Sequence, residues 1–460
     1  LLPRHNLLQV LLVVPFYLAG TPFNRLVEPA PSGLLALPLG SLAAVSLLNP
    51  LLTITSVYLL ILICRRLYRS EKTAVMAGLI YGIATMAWPY AVIGMEPLQN
   101  LCILLSILLY LKLDPDNPTT RSVTWLAVSL TALMHTKISA PLIALPISFT
   151  ALILILKFSK ARAKDTCIYC GILLASSLTW FYLYHLRSNA FYSSSFFENF
   201  VPGLIPRNIV GLLVSPGKGL LIYNPIFFWL IPGFITFYRS NRLLAWLMAS
   251  MSLLTLGLTA CWDWSLIEEC WGPRYLMPMV PMIIIAGASH LRFRKTRAKM
   301  FIFGSLLIAS ILIQVPATVY PNVCLMKYVH SESNPVVDMT TWLPELSPIR
   351  VGWHMIGNQL AHSSGQEMRS LNWHYYRGII GWGARPEILE FSNPNWNYPY
   401  AAPFIVNRFL NKKVNSQSST SPDPGWIFPM WFFFTLIFCA ALGMWYNLSI
   451  RNSREENSHG

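Results

Sequence analysis

Charged residues are concentrated in one short connection of an otherwise apolar chain. The stretch Trp262–Pro278 reads WDWSLIEECWGPRYLMP and lies between two long apolar runs. Its charged side chains are Asp263, Glu268, Glu269 and Arg274. Charges near a membrane cost free energy unless they are paired or used, so this cluster is a candidate site. Its aromatic residues suit the membrane–water interface, and an ordinary interfacial loop with one Arg–Glu pair is the alternative interpretation.

A carboxylate at a second position could act as a base or as a supporting acid. Glu96 follows the segment WPYAVIGM and precedes Pro97. Proline is favoured in the first turn of a helix, so Glu96 is predicted at a helix start, where the dipole favours a carboxylate. The alternative is a plain helix cap. If the role is catalytic, we expect Glu96→Gln to preserve folding and to lower activity strongly, because Gln cannot accept a proton.

Two further basic residues, His135 and Lys137, lie in the connection MHTKISAP. Arginine can grip a phosphate with two parallel hydrogen bonds, whereas lysine acts as a point charge. Together with Arg274 and Glu96, they suit the phosphate of an anionic lipid beside an acceptor hydroxyl. The alternative for Lys137 is a side chain that snorkels to the interface. The three carboxylates of the 262–278 stretch could orient Arg274 or bind a divalent cation, although the chain has no dedicated metal motif.

Composition places the chain among membrane proteins. Hydrophobic residues make up 54% of it and charged residues 12%, and the mean hydropathy is +0.49. A soluble domain usually carries about 25% charged residues. The net charge of +15 does not indicate a nucleic-acid partner, because many basic residues form short clusters between apolar runs, as expected of cytoplasmic loops. We therefore predict an all-α polytopic membrane protein.

The basic clusters predict a topology. Those at residues 65–72, 157–164, 238–242, 290–299 and 451–455 are predicted to be cytoplasmic. With about 20 residues per crossing, about eleven transmembrane helices then fit, and the C-terminus is cytoplasmic. The predicted spans lie near residues 35–64, 73–92, 95–112, 121–136, 139–156, 166–186, 219–238, 243–261, 275–290, 300–319 and 426–448. The run 7–19 is too short to cross and contains Pro15, so we expect an external juxtamembrane helix there.

The same pattern divides the chain into three parts. Residues 1–319 form a multi-span membrane domain, 320–425 an external, periplasmic-side region rich in loops, and 426–460 the last transmembrane helix and a cytoplasmic tail. The middle region contains Pro- and Asn-rich segments, which are typical of turns. Cys261 precedes the 262–274 connection and Cys270 lies within it. The two could form a disulfide on an oxidising side, which the spacing alone leaves open.

Five motifs follow one another across residues 7–290: LVVPFYLAG, GLIYGIATMAWPYAVIGMEPL, HTKISAP, SPGKGLLIYNP and WGPRYLMPMVP. In this order they resemble the GT-C superfamily of integral-membrane glycosyltransferases, specifically proteins similar to bacterial protein O-mannosyltransferases and the aminoarabinose transferase of lipid A. The resemblance implies an enzyme of the bacterial inner membrane that moves a sugar from a polyprenyl-phosphate donor to an acceptor on the outer face. It also implies that Glu96 matches the family's acid, Lys137 its lysine and Arg274 its late arginine.

One part of the family pattern has no counterpart in this sequence. The leading catalytic aspartate of the family would precede Leu7, so either the sequence is truncated or the protein lacks that acid. A non-catalytic structural subunit of a membrane assembly therefore stays open as an alternative. A lipid-linked sugar transporter is a further alternative, which would place charges within the spans. The predicted partners are the lipid-linked sugar and membrane lipids, or the other subunits of such an assembly. No cofactor is implied beyond a divalent cation.

Overall fold

The computed structural model is helical throughout the part of the chain that it describes. The described residues are 7–25, 39–91, 96–113, 119–137, 139–159, 162–191, 202–262, 270–292, 296–319, 341–344 and 347–361. These ranges contain no β-strand. The predicted all-α fold class is confirmed for them.

The helices follow one another with short connections. Up to residue 191 they are α1 (Leu7–Gly20), α2 (Leu39–Ser46), α3 (Leu48–Tyr68), α4 (Glu71–Ile83), α5 (Ala87–Tyr90), α6 (Glu96–Lys112), α7 (Thr120–Met134), α8 (Ala140–Phe158) and α9 (Arg162–Phe191). From residue 202 they are α10 (Ile205–Val214), α11 (Leu220–Tyr223), α12 (Phe227–Leu230), α13 (Gly233–Ser240), α14 (Arg242–Ala260), α15 (Met279–Gly287), α16 (Arg297–Val319) and α17 (Pro348–Ala361). Short 3₁₀ helices span Thr21–Arg25, Pro202–Leu204, Arg274–Leu276 and Ala288–Arg292.

Three helical stretches in the described ranges are long and apolar enough to cross a membrane. They are Ala44–Tyr68, Arg242–Ala260 and Arg297–Thr318. Shorter apolar helices include Leu11–Phe23 and Ala140–Leu156. The fold is thus compatible with a membrane protein, with three candidate spans where the sequence predicted about eleven.

Proline accounts for part of this difference. The predicted span 219–238 consists of α11, α12 and α13, and Pro225 and Pro232 lie at the two breaks. A proline lacks the N–H that continues a helix, and its ring clashes with the preceding turn. The predicted span 275–290 is likewise divided among two 3₁₀ helices and α15, with Pro278 just before α15.

Helix α8 exposes an apolar face along its length. Five side chains of this face are between 42% and 67% exposed: Leu142, Leu145, Phe149, Ile153 and Leu156. Their spacing of three or four residues puts them on one side of the helix. Water is a poor environment for so long an apolar stripe, and lipid is a suitable one.

Helices α3 and α4 pack against each other around a tight basic turn. Arg69 adopts the left-handed conformation with φ 47°, and its N–H bonds to the carbonyl of Arg65. Ser70 caps α4 by accepting a hydrogen bond from the N–H of Thr73. The cluster predicted to be cytoplasmic therefore lies at one end of a helical hairpin.

Helix α6 packs against α3, α7 and α8, and its first turn lies near the connections that carry the candidate site. Helix α17 lies within 320–425, where the sequence predicted loops rather than long helices. It begins at Pro348, a favoured first residue, and its Gly352 is pressed against Pro316 of α16. Most of 320–425 and all of 426–460 lie outside the described residues, so the three-part division stays a prediction.

Candidate active site at the start of helix α6

The candidate site is built around the first residue of α6. Glu96 begins this helix and is completely buried. The partial positive charge of a helix N-terminus favours a carboxylate at this position. A helix start fixes where the Glu96 side chain leaves the backbone, and α3, α7 and α8 pack around the same helix.

Two cations bind one oxygen of Glu96. Lys137 Nζ and Arg274 Nε each lie 2.6 Å from Glu96 Oε1. The side chains of Lys137 and Arg274 are only 12% and 16% exposed. Lys137 follows α7, and Arg274 opens the 3₁₀ helix before α15. The structure thus brings together three predicted site residues that are far apart in the sequence; we call them the Glu96 triad.

The cations keep the carboxylate ionised. Glu96 lies outside the three candidate spans. Burial alone would raise the pKa of Glu96, but the charges and hydrogen bonds of Arg274 and Lys137 outweigh burial and lower it to about 2. With all members charged, the Glu96 triad carries one negative and two positive charges. Its net charge of +1 favours an anion nearby.

Aromatic rings line one side of the triad. Lys137 Nζ lies 5.3 Å from the centre of the Tyr275 ring, within the range of a cation–π contact. The Tyr275 ring meets Trp262 edge to face, with 5.5 Å between the ring centres. These rings restrict the position of the ammonium group.

The backbone that carries Arg274 is held in place by buried neighbours. Tyr90 donates its hydroxyl hydrogen to the carbonyl of Trp271 at 2.9 Å, and the Trp271 indole N–H donates to Gln314 at 3.0 Å. Gly272 has φ +60°, and an added Cβ would lie 2.7 Å from the sulfur of Met86. Only glycine adopts this conformation in so little space without strain. Arg274 therefore extends from a fixed loop.

Lys218 is a candidate site residue that the sequence analysis did not single out. It is 2% exposed, and its ammonium donates to the carbonyl of Cys270 at 2.8 Å. A second, longer contact reaches the carbonyl of Gly272 at 3.5 Å. The signal in the sequence was a lysine between two glycines, in the motif SPGKGLLIYNP of an apolar chain. Lys218 fastens the loop that presents Arg274.

Of the remaining predicted site residues, only His135 lies within the described ranges. His135 contacts Ser176 of α9, with 3.3 Å between Nε2 and Oγ. The carboxylates Asp263, Glu268 and Glu269 lie outside the described residues. Among the residues that are described, no group of three or more His, Cys, Asp and Glu side chains could hold a metal ion. Cys261 and Cys270 are both free thiols in the structure.

Comparison with known proteins adds no assignment. A scan against protein-family models finds no match, and a search of curated proteins finds none either. The geometry of the site is therefore what supports a function.

Proposed function

We propose that this protein is a glycosyltransferase that moves a sugar from a polyprenyl-phosphate donor to an acceptor on the outer face of the membrane. The observation that carries the proposal is the Glu96 triad, in which Lys137 and Arg274 converge on one buried oxygen. Two mostly buried cations, 12% and 16% exposed, with a single carboxylate between them suit an anionic group better than a neutral one. A lipid phosphate is the anion that the resemblance to GT-C enzymes implies.

In this proposal the cations hold the leaving phosphate. The acceptor hydroxyl attacks the anomeric carbon, the bond between that carbon and the phosphate oxygen breaks, and polyprenyl phosphate departs with the bonding electrons. Lys137 and the terminal nitrogens of Arg274 face the negative charge that grows on the phosphate. Such preorganised electrostatic stabilisation is usually the largest contribution to catalysis.

Glu96 has a supporting role in the arrangement described. A carboxylate with a pKa of about 2 is a weak base, so in this form it orients the cations better than it accepts the acceptor's proton. The carboxylate becomes a better base only if a phosphate draws one cation away from it. We therefore assign Glu96 first to positioning Lys137 and Arg274, and the proton to a base that the triad does not identify.

The membrane arrangement belongs to the same proposal. About eleven spans in a bacterial inner membrane, with the C-terminus in the cytoplasm, place the start of α6, the end of α7 and the 262–274 connection on the outer side. The proximity of Glu96, Lys137 and Arg274 supports the placement of these three residues on one common side of the membrane.

One observation favours a second candidate, a non-catalytic subunit of a membrane assembly. Both cations of the triad are already bonded by a buried carboxylate, which is how an ion pair that only fastens helices would also look. The two candidates differ in whether the site prefers a lipid phosphate.

The test is a lipid-binding titration of the purified protein by native mass spectrometry. Polyprenyl phosphate and the uncharged polyprenol are compared on the parent and on Lys137→Ala and Arg274→Ala. We expect the parent to prefer the phosphate at least about tenfold, and each variant to lose that preference, since each removes a charge-assisted contact. Arg65→Ala, at an arginine 41% exposed in the α3–α4 turn, is the control and should keep the preference. A parent protein that binds both lipids equally would exclude the donor site.

Topology is tested separately. Single cysteines placed in 320–425 should react with a membrane-impermeant thiol reagent on intact cells, and those placed in 290–299 should not. The reverse pattern would put the triad on the cytoplasmic face and rule out a donor that is used outside.

A further inference from the structure

The first turns of α6 contain a buried amide with no hydrogen-bond partner. Gln99 is 1% exposed, and neither its Oε1 nor its Nε2 is hydrogen-bonded. Buried polar groups in folded proteins are nearly always bonded, so an amide that leaves both ends unused needs an explanation. A structural role does not explain it, because an amide that makes no hydrogen bond does not stabilise the fold through polar contacts.

Gln99 lies beside the Glu96 triad. It follows Glu96 by three residues on the same helix, which puts the two side chains on one face, with about 5–6 Å between their Cβ atoms. Asn100 is the next residue and is also buried. It donates from Nδ2 to the hydroxyl of Tyr81 at 3.0 Å, while its Oδ1 has no partner.

Helix α3 presents a matching group. The hydroxyl of Tyr81, on α4, accepts the hydrogen bond from Asn100 of α6, and α4 packs against α3. Thr53 lies one turn before Ser56 on α3, is 6% exposed, and its hydroxyl has no partner. Gln99 and Asn100 lie in the first turns of α6 beside Glu96, and Thr53 lies in the early part of α3, a helix that packs against α6.

We propose that Gln99, Asn100 and Thr53 form a polar subsite for the sugar ring of the donor. The unused groups are all uncharged: one amide NH₂, two carbonyl oxygens and one hydroxyl. Sugar hydroxyls both donate and accept hydrogen bonds, so they complement this mixture. A phosphate only accepts, and the cations of the Glu96 triad suit it better.

This inference rests on the proposed function, because it places the sugar next to the phosphate. The unused atoms are closed to solvent, so the sugar reaches them only after side chains move. Gln99 has three rotatable bonds and lies one turn from Glu96. Rotation of its side chain toward the triad is the movement that the subsite requires.

The experiment separates the sugar from the phosphate. Native mass spectrometry measures the affinity of polyprenyl phosphate and of a panel of polyprenyl-phosphate hexoses (mannose, glucose and galactose) for the parent and for Gln99→Leu. We expect at least one hexose lipid to bind the parent more tightly than the sugar-free lipid. Gln99→Leu should remove about tenfold of that advantage and leave the affinity for the sugar-free lipid unchanged. The thermal midpoint of Gln99→Leu should stay equal or rise, because an unbonded amide leaves the core.

Controls keep the outcomes distinct. Thr166→Val removes another buried hydroxyl without a partner, in the first turns of α9, and should change neither affinity. Gln99→Met replaces Gln99→Leu if the leucine variant does not fold.

Two outcomes overturn the subsite. In one, the ratio of the affinities for hexose lipid and sugar-free lipid is unchanged in the variant; in the other, no hexose lipid binds the parent better than the sugar-free lipid does. A lowered midpoint with an unchanged ratio identifies a structural amide. If the parent binds none of these lipids, the proposed function itself fails.

Discussion

Two buried carboxylates in this protein accept hydrogen bonds from different kinds of donor. Glu96 accepts hydrogen bonds from two cations, Lys137 and Arg274. Asp165, in the first turn of α9, is 1% exposed and accepts from two hydroxyls, those of Thr120 at 2.7 Å and of Ser159. Each carboxylate joins several helices or connections, but the donors described differ: they are charged groups at Glu96 and the hydroxyls of Thr120 and Ser159 at Asp165.

The kind of donor distinguishes a carboxylate that joins helices from the carboxylate that the proposed function uses. Asp165 ties the start of α7 and the end of α8 to α9 through neutral hydroxyl donors. The Glu96 triad has an excess positive charge, which a structural tie does not require. Replacing a buried ion pair with apolar residues is often neutral or stabilising, so stability alone is a weak reason for such a triad.

The largest effect is expected for Glu96→Gln. This change leaves two buried cations without a countercharge, and breaking a buried ion pair in this way costs about 3–5 kcal/mol. The sequence alone led us to expect that Glu96→Gln would preserve folding. Because Glu96 is completely buried, we now expect this variant to be less stable. Transfer should fall by about 100-fold or more, because the cations that stabilise the leaving phosphate lose their common anchor. Thermal melting in detergent and a sugar-transfer assay measure the two effects.

Asp165→Asn is the matched comparison. Asn still offers one oxygen to a hydroxyl, so the loss should be smaller, about 1–2 kcal/mol, and lipid binding should be unaffected. If both variants reduce the preference for polyprenyl phosphate equally, the contrast between the two carboxylates has no functional meaning.

Arg274→Lys should have the next largest effect. It keeps the charge but loses the planar fork, so a phosphate is held by a point charge in place of parallel hydrogen bonds. We expect about tenfold weaker binding of polyprenyl phosphate at nearly unchanged stability, since lysine can still pair with Glu96. A titration that matches the parent would show that the fork does not contact the lipid.

Lys218→Met tests the support of the site. Methionine keeps the length of the side chain but cannot donate to the carbonyl of Cys270. The loop that carries Arg274 should become less fixed, and polyprenyl phosphate should bind about threefold more weakly, in line with one hydrogen bond. Lys299→Met, at an exposed position near the start of α16, is the control. An unchanged affinity would mean that the other contacts of the loop, from Tyr90 and Gln314, are sufficient.

Apolar composition was enough to predict the all-α fold class. Proline positions explain why two of the predicted spans are divided into several short helices. Helix α3 and the span Arg242–Ala260 match predicted crossings because long apolar runs with basic flanks leave few alternatives. The run 219–238 is equally apolar, but Pro225 and Pro232 divide it into short helices. Hydropathy averaged over a window does not register the loss of one backbone N–H.

The candidate site was predictable in residue type and only partly in geometry. Charge in an apolar chain identified Glu96, Lys137 and Arg274, because such charges need a partner. That both cations share one oxygen depends on how α6, α7 and the 270–274 loop pack, which no local pattern encodes. Lys218 and Gln99 were missed for a similar reason. Their significance lies in burial, which becomes visible only once the helices are assembled.

The smallest effect is expected at a partly exposed ion pair that resembles the triad only in its chemistry. Arg65 and Glu71 lie 3.4 Å apart in the α3–α4 turn, with side chains 41% and 31% exposed. Water screens such a pair, and ordering two long side chains offsets much of its attraction, so pairs of this kind contribute about 0–1 kcal/mol. Glu71→Gln should therefore shift the thermal midpoint little and leave the preference for polyprenyl phosphate intact.

High salt should weaken the Arg65–Glu71 contact further and leave the buried Glu96 triad almost unchanged. If Glu71→Gln destabilises the protein as much as Glu96→Gln, burial is not what distinguishes the two pairs. The effects of the Glu96 variant would then reflect general helix packing and not a site for anions.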